Sequence, residues 1–232
     1  MSSTIQISVL LPVYNEARWL AALIERLDQV NWPVPVEFIW VNDGSTDGSW
    51  KILNRYAGRP NFCLLYHAGN QGKAAAIRTA LRHVRGKYVI THDTDLEYDP
   101  AELPALLQPL LRNEVDVVYG SRFMHGHARM RWDYFFANRC LTALFNYYLR
   151  VHLTDMETGY KLFRVDLLRN LKIQSQGFAW EVEITAKLLR SGAKILELPI
   201  SFHGRDRGEG KKIRWRDGPR ALWELRKYLR AR

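Results

Sequence analysis

The sequence has only two cysteines among its 232 residues and no long apolar run. Cys63 and Cys140 lie far apart and lack the spacing of a metal site, so we expect two thiols in a reducing compartment. No stretch of about 18 apolar residues occurs, and no cationic start is followed by an apolar segment. We therefore expect a soluble or peripheral chain that does not itself span a bilayer.

Two glycine-rich nucleotide-binding loops are also missing. The first apolar run is not followed by GxGxxG, which argues against a dinucleotide-dependent dehydrogenase. The GxxxxGK(S/T) loop of a P-loop nucleotidase does not occur either. Gly72-Lys73 resembles a phosphate-binding turn, but the rest of that loop is absent.

Acidic residues are in the minority, with 34 lysines and arginines against 24 aspartates and glutamates and a formal charge of +10. Residues 203–232 hold eleven of the basic residues and four of the acids, so this segment contributes +7. Such an excess favours an anionic partner, which can be a nucleotide, a phospholipid surface or a nucleic acid. A tail that only keeps the chain soluble is the alternative.

Short apolar runs alternate with amphipathic segments in the first half of the chain. We predict strands at 5–11, 36–41, 62–66, 87–92 and 116–119, and helices at 17–29, 48–56, 71–83 and 100–112. This order predicts right-handed crossovers and one α/β domain, with a Rossmann-like, mostly parallel sheet and helices on both faces. No internal repeat or low-complexity linker divides the chain.

The second half is predicted to contain an aromatic-rich helix at 132–150, a strand at 159–164, a helix at 180–190 and a strand at 194–199. After them, the segment 215–230 places Trp215, Trp223 and Tyr228 among arginines. Such a basic amphipathic helix is typical of a membrane interface. The alternative is a helix that packs on the core with its arginines in water.

A polar cluster follows each of the first four predicted strands. The clusters are Pro12–Glu16, Asn42–Asp47, Asn70–Lys73 and His92–Glu97. The carboxyl ends of parallel strands share one edge of the sheet, and ligands of such sheets bind at that edge. We therefore expect the four clusters to meet in one site.

Asp93 and Asp95 form a candidate metal site at the end of a predicted buried strand. Both carboxylates can reach one Mg²⁺ or Mn²⁺ ion, which usually takes one or two protein carboxylates and completes its shell with water and substrate phosphates. Glu97 can supply a third oxygen. A solvated acidic loop is the alternative. In the second cluster, Asp47 can cap a helix while Asp43 faces a ligand.

Seven motifs occur in the order of a known enzyme family: VLLPVYNE, VNDGSTDGS, NQGKAAAIRTAL, DTDLEYDP, YGSR, DMETGYKLFR and FAWEVEI. From about residue 7 to residue 213 the chain resembles the inverting family-2 glycosyltransferases, whose nucleotide-sugar-binding α/β domain is the GT-A fold. Within them it is most similar to the polyprenyl- and dolichyl-phosphate mannose and glucose synthases. The resemblance implies a catalytic domain at 1–213, with a nucleotide-sugar half at 1–120 and an acceptor half at 121–213, followed by a basic amphipathic helix at 214–232.

The resemblance also implies roles for individual residues. Nucleotide-sugar binding is expected from Pro12, Tyr14, Glu16, Asp43, Lys73, Asp93 and Thr94, and from a closing basic loop with Arg205, Arg207, Lys211 and Lys212. Mg²⁺ or Mn²⁺ is expected on Asp93, Asp95 and Glu97. The acceptor is expected at Ser121, Arg122 and Lys161, and the catalytic residues are expected to be Asp95, Arg122, Asp155 and Glu183.

The chemistry leaves two acceptors open. The departing nucleoside diphosphate gains negative charge, which a divalent ion and cationic side chains stabilise. A lipid phosphate is already ionised and needs no base, whereas a hydroxyl must lose a proton to Asp155 or Glu183. The leading hypothesis is transfer of a hexose from a UDP- or GDP-sugar to polyprenyl (dolichyl or undecaprenyl) phosphate, by a protein bound peripherally at the cytoplasmic membrane face. The alternative acceptor is a hydroxyl group of a glycan, glycolipid or protein.

Two further function classes are disfavoured. In a nucleic-acid-binding protein, the acidic strand ends would repel phosphates unless a metal intervened, so we expect no nucleic acid partner. A nucleotidyltransferase would usually show a glycine-rich basic signature near the first strand, and VLLPVYNE is not one. The basic tail is instead expected to bind an anionic membrane surface.

Overall fold

The computed structural model describes residues 4–124, 129–171, 173–175 and 179–205. They form one seven-stranded sheet with helices packed on both faces. The strands are β1 (Ile7–Val13), β2 (Val36–Asn42), β3 (Phe62–Tyr66), β4 (Tyr88–Thr91), β5 (Val117–Ser121), β6 (Lys161–Arg164) and β7 (Ile195–Pro199). Their order is β3-β2-β1-β4-β6-β5-β7, and neighbouring strands are parallel except where β6 meets β4 and β5.

Seven α-helices connect these strands within the described ranges. They are α1 (Ala17–Gln29), α2 (Ser49–Asn54), α3 (Lys73–Leu81), α4 (Leu103–Leu111), α5 (Trp132–Leu149), α6 (Val165–Asn170) and α7 (Ala179–Arg190), and a single 3₁₀ turn at Pro100–Glu102 precedes α4. In the part of the chain that the structure describes, no helix has the length and apolar character needed to cross a bilayer.

The two faces of β1 separate two apolar layers. Val9 and Leu11 face a layer that includes Leu20 of α1, whereas Leu10 faces a layer that includes Ile77 of α3. Successive residues of a strand point to opposite faces of the sheet. Because helices cover both faces, both sets of β1 side chains must be apolar, which explains the continuous apolar run in the sequence.

The register of the parallel strands sets the position of their carboxyl ends. Val13 of β1 lies opposite Asn42 of β2, so these two strands end together. On the other side of β1, Thr91 at the end of β4 lies opposite Leu10. The loops that follow the three strands therefore leave the sheet at one edge, side by side.

The single α/β domain with a mostly parallel sheet is confirmed. The helix predicted at 71–83 is shorter, because Gly72 has a φ of 89° and α3 begins at Lys73. The reversed direction of β6 and the short helix α6 were not predicted. Residues 206–232 lie outside the described part of the chain, so the helix and domain boundary expected at 214–232 remain predictions.

Gly44 provides a test of the turn that follows β2. Its φ is +68°, and a Cβ at this position would lie 2.5 Å from the carbonyl carbon of Gly69. We expect Gly44→Ala to lower the free energy of unfolding by about 1–3 kcal/mol from the left-handed backbone alone, and by more because of the clash. Gly48→Ala is the matched control, since Gly48 has a φ of +91° but no atom within 4 Å of its Cβ position. Urea unfolding compares the variants, and equal losses would contradict the clash.

Candidate active site

A cleft of about 400 Å³ opens at the carboxyl edge of the sheet. Its walls include residues from all four polar clusters that follow the first four strands. The predicted site residues that line it are Pro12, Tyr14, Glu16, Asp43, Lys73, Asp93, Thr94, Asp95, Glu97, Arg122 and Arg205. The structure thus brings together residues that lie far apart in the sequence.

Asp43, at the end of β2, holds the loop that leads to α3. Its Oδ1 accepts a hydrogen bond from the backbone N–H of Gln71 at 2.9 Å and lies 2.6 Å from Nδ1 of His67. Its Oδ2 accepts from the N–H of Gly72 at 2.8 Å. Both oxygens are therefore engaged within the protein, and Asp43 positions the turn that delivers Lys73 to the cleft.

Lys73 joins two acids in the middle of the cleft. Its Nζ lies 2.8 Å from Oδ1 of Asp93 and 2.9 Å from Oε1 of Glu181. Burial alone would lower the pKa of Lys73, but the two carboxylates outweigh it and raise that pKa. Burial likewise opposes ionisation of Asp93, yet the charge of Lys73 keeps the pKa of Asp93 below its ordinary value. Lys73 and Asp93 are therefore both charged.

Arg205 connects three further acids of the cleft. Its Nη1 donates to Oε2 of Glu16 at 3.0 Å and its Nη2 donates to Oδ2 of Asp95 at 3.0 Å. Its backbone N–H donates to Oε1 of Glu97 at 2.7 Å. Arg205 belongs to the closing loop that the sequence led us to expect. It reaches the group of Asp93, Asp95 and Glu97, which we call the acidic centre. The other members, Arg207, Lys211 and Lys212, lie outside the described residues.

The acidic centre has the donor chemistry of a divalent cation site. In the described ranges, no group of three or more acid, histidine or cysteine side chains is already arranged to hold a metal ion. Asp93, Asp95 and Glu97 nevertheless present carboxylate oxygens only, as Mg²⁺ and Mn²⁺ prefer. Burial, followed by the charges of Glu97 and Asp93, raises the pKa of Asp95 to about 7 despite the nearby Arg205. Burial and the neighbouring acids thus disfavour the charged form of Asp95, and a bound cation would favour it.

Arg122 and Asp155 form a buried ion pair at the wall of the cleft. Nε of Arg122 donates to Oδ2 of Asp155 at 2.6 Å, and Nη2 donates to Oδ1 at 2.7 Å. Nη2 also donates to Oδ1 of Asn138 at 3.1 Å. Asp155 has no exposed surface and both of its oxygens are engaged. It therefore positions Arg122 and is poorly placed to take a proton from an acceptor.

Ser121 and Lys161 lie behind the cleft wall and do not line it. The hydroxyl of Ser121 shares a 2.6 Å hydrogen bond with Thr154. Nζ of Lys161 donates to the carbonyls of Met156 and Thr158 at 2.9 and 2.5 Å. Burial lowers the pKa of Lys161 to about 8. Of the three residues expected to meet the acceptor, only Arg122 reaches the cleft.

Glu183 also lies outside the cleft, and another acid of α7 takes its place. The carboxylate of Glu183 accepts hydrogen bonds from the N–H groups of Gln174 and Ser175 and forms an ion pair with Lys187. Glu181 lines the cleft and binds Lys73. Residues two apart on a helix point in very different directions, so only one of the two acids can face the cleft.

Glu157, which was not predicted, is a further acid of the cleft. It lies in the segment before β6 and lines the cleft. Burial, followed by the charge of Glu181, raises its pKa to about 7. Glu157 and Glu181 belong to two motifs that carry the family resemblance, DMETGYKLFR and FAWEVEI. The sequence therefore indicated the two segments, but not which of their acids face the cleft.

Comparison with known proteins identifies a family and several similar proteins. Residues 8–172 match the family model described as glycosyl transferase family 2. The undecaprenyl-phosphate mannosyltransferase of Micrococcus luteus is 30% identical over 218 residues, which cover 89% of this chain and 87% of that protein. The dodecaprenyl-phosphate galacturonate synthase of Rhizobium johnstonii is 27% identical over 216 residues, which cover 90% of this chain. The chain spans only 62% of the length of that relative.

A solved structure shares the fold. Glucosyl-3-phosphoglycerate synthase from Mycobacterium tuberculosis, in complex with Mn²⁺, UDP-glucose and phosphoglyceric acid, matches with a TM-score of 0.74. The match covers 97% of this chain and 80% of that one at 20% identity. At this level of identity the likeness shows the fold alone.

Proposed function

This chain belongs to glycosyl transferase family 2, and from that premise we propose that it is an inverting enzyme that moves a hexose from a UDP- or GDP-sugar to a polyprenyl phosphate. The relatives named for transfer involving undecaprenyl and dodecaprenyl phosphate support this class of acceptor. The cleft supports it independently, because it holds both the acids of a cation site and several cationic side chains.

The placement of the two expected bases carries the choice of acceptor. Asp155 has both oxygens on Arg122, and Glu183 lies outside the cleft. A hydroxyl acceptor has to lose its proton to a base, whereas a phosphate is already ionised and needs a cation to bind it. Arg122 lines the cleft wall while it shares its charge with Asp155, and it is the cationic side chain that we propose meets this phosphate. Neither expected base is placed to take that proton, which supports a lipid phosphate acceptor. A hydroxyl acceptor would have to use Glu157 or Glu181, the acids that do line this part of the cleft.

The acidic centre and the cations beside it can stabilise the leaving group, the nucleoside diphosphate. Asp93, Asp95 and Glu97 are the residues that would hold Mg²⁺ or Mn²⁺, and a bound ion of this kind neutralises charge on the nucleoside diphosphate. Lys73 and Arg205 add two cations at the same place, where they stabilise the charge that develops as the C1–O bond breaks. The mycobacterial structures with Mn²⁺ or Mg²⁺ support this choice of ions.

The test is a transfer assay with the full chain and undecaprenyl phosphate. UDP-glucose, UDP-GlcNAc, UDP-galactose and GDP-mannose are each supplied in labelled form with Mg²⁺ or Mn²⁺, and the lipid product is counted after organic extraction. We expect one donor to give a lipid-linked sugar and EDTA to suppress the product. Transfer to octyl glucoside instead would favour a hydroxyl acceptor. If no donor were transferred or hydrolysed, the proposed function would be wrong.

Helix α5 offers a surface by which the protein can meet the membrane that contains such an acceptor. Trp132, Phe136, Tyr147 and Tyr148 on this helix have exposures between 60% and 79%. Tyr134 of the same helix lines the cleft. Exposed aromatic rings along one helix are typical of a membrane interface. There the rings of Trp and Tyr enter the apolar region while their N–H and hydroxyl groups stay in contact with water and headgroups. We propose that α5 lies on the cytoplasmic face of the membrane and brings the cleft to the lipid phosphate.

The charges near these rings suit an anionic bilayer. Arg139 and Arg150 on and just after α5 are exposed. The basic segment 214–232 remains a second candidate for the same contact. Basic side chains beside interfacial aromatic rings bind anionic headgroups, with an attraction that salt weakens.

Replacing Trp132, Phe136 and Tyr147 together by serine is expected to reduce binding to phosphatidylglycerol-containing vesicles at least about tenfold, because three rings no longer enter the interface. Co-sedimentation measures the bound fraction. The control replaces Trp50 and Tyr66, two exposed rings on other elements, by serine and should bind like the unmodified chain. Deletion of 214–232 tests the tail separately. Equal pelleting of the α5 variant and the unmodified chain would remove α5 from the contact.

A further inference from the structure

Two carboxyl groups of the cleft have oxygens that the described protein does not engage. Oε2 of Glu181 is buried and has no hydrogen-bond partner, although its Oε1 accepts from Lys73 at 2.9 Å. Oε1 of Glu157 is also buried without a partner. Both residues line the cleft, and the side chain of Glu181 is only 5% exposed. Since buried polar atoms are nearly always paired in native proteins, these oxygens indicate a ligand.

The position of this pair within the cleft indicates which part of a ligand it meets. The strands lie in the order β2, β1, β4, β6 across this part of the sheet. Asp43 directly follows β2, and Glu157 precedes β6, so the two residues lie on opposite sides of β1 and β4. Lys73 joins Glu181 to Asp93 at the end of β4. On the proposed function, on which this inference rests, the nucleoside lies toward β2 and the diphosphate at the acidic centre. The transferred sugar then lies toward Glu157 and Glu181.

The cations near the two acids already have partners. Lys73 is shared between Glu181 and Asp93, Lys161 donates to two backbone carbonyls, and Arg122 binds both oxygens of Asp155. Burial, followed by the charge of Glu181, raises the pKa of Glu157 to about 7. Two acids thus share this part of the cleft, and a ligand carboxylate placed beside them would be a third.

We infer that Glu157 and Glu181 accept hydrogen bonds from hydroxyl groups of the transferred sugar and exclude sugars that carry a carboxylate. The unpaired carboxyl oxygens need hydrogen-bond donors, and the hydroxyl groups of a neutral hexose supply them. An amino sugar supplies similar donors. A uronic acid brings a like charge to the same place. Discrimination then comes from repulsion of the wrong sugar as well as from contacts with the right one.

Glu157→Gln tests the inference, because the amide keeps the shape and an acceptor oxygen but removes the charge. Calorimetry with the full chain and Mg²⁺ measures binding of UDP, UDP-glucose and UDP-glucuronate. If GDP is the nucleotide that binds, GDP-mannose and GDP-mannuronate replace them. We expect the unmodified chain to bind the hexose donor at least about tenfold more tightly than the uronate donor. In Glu157→Gln this ratio should fall to about threefold or less, with binding of the free nucleotide unchanged.

The controls separate this inference from the proposed function. Glu114→Gln, at an exposed acid away from the cleft, should keep the ratio of the unmodified chain. The inference is overturned if the unmodified chain binds both donors equally, a result that needs no variant. It is also overturned if Glu157→Gln keeps the original ratio, or if it weakens binding of the free nucleotide as strongly as that of the sugar donor. If neither UDP nor GDP binds the unmodified chain, the proposed function fails and the inference fails with it.

Discussion

Replacing Asp95 by asparagine is expected to lower kcat/KM for sugar transfer by about 100- to 1,000-fold, the usual loss when one well-placed electrostatic group is removed from an active site. Asp95 lies in the acidic centre, with its Oδ2 accepting from Arg205 at 3.0 Å and its Oδ1 accepting from the N–H of Glu97 at 3.2 Å. The amide fits the same space but has no charge. It should therefore hold both a divalent cation and Arg205 more weakly, while the fold is retained.

Two measurements accompany the assay of Asp95→Asn. Mn²⁺ titration followed by electron paramagnetic resonance should show weaker binding of the ion, and thermal unfolding should show an intact fold. Asp166→Asn is the matched control, because Asp166 is an exposed aspartate of α6. It should keep both activity and Mn²⁺ affinity. Full activity of Asp95→Asn would show that the acidic centre is not where the reaction occurs.

Asp155→Ala is expected to destabilise the protein by about 3–5 kcal/mol, because removing one member of a buried ion pair leaves the other charge without compensation. Asp155 is fully buried, and Arg122 is only 7% exposed. In the variant the guanidinium keeps Asn138 as a hydrogen-bond partner but loses its carboxylate. Urea unfolding at neutral pH measures the loss. We also expect sugar transfer to fall, since Arg122 is no longer held at the cleft wall.

A double variant distinguishes loss of the pair from loss of packing. In Arg122→Leu with Asp155→Leu, both charges are replaced by apolar groups, and such replacements are often neutral or stabilising. We therefore expect the double variant to recover most of the stability lost in Asp155→Ala, but not the activity. If the double variant were as unstable as Asp155→Ala, the cost would come from packing and not from the unpaired charge.

The sequence was sufficient to predict that the four polar clusters would meet. Strands buried on both faces have continuous apolar runs, and right-handed crossovers bring their carboxyl ends to one edge. Pro12, Asp43, Lys73 and Asp95 accordingly line one cleft. This prediction needed only the order of the elements and the alternation of apolar and polar segments, and both are visible in the chain.

Hydrogen bonds between residues far apart in the sequence were not predictable in this way. Asp47 was expected to cap a helix, and it accepts from the N–H of Ser49 at the start of α2. It also accepts from the N–H of Ala17 at 2.9 Å and so caps α1, 30 residues away. In the same way, two acids in FAWEVEI were visible, but the side of α7 that faces the cleft depends on packing against distant strands. Glu181 therefore had to be found in the structure.

The reversed strand β6 has a consequence for how the cleft can change. Because β6 is antiparallel to β4 and β5, its first residue lies at the edge of the sheet where β4 and β5 end. The segment Asp155–Gly159, which leads into β6, therefore lies at the cleft. At Gly159 the approach is so close that a Cβ would lie 2.5 Å from Oδ2 of Asp93. The segment belongs to none of the crossovers that connect β1, β2, β3 and β4. On the proposed function, we therefore expect substitutions at Glu157 to change the choice of sugar while the crossovers that carry Asp43 and Lys73 keep their connections.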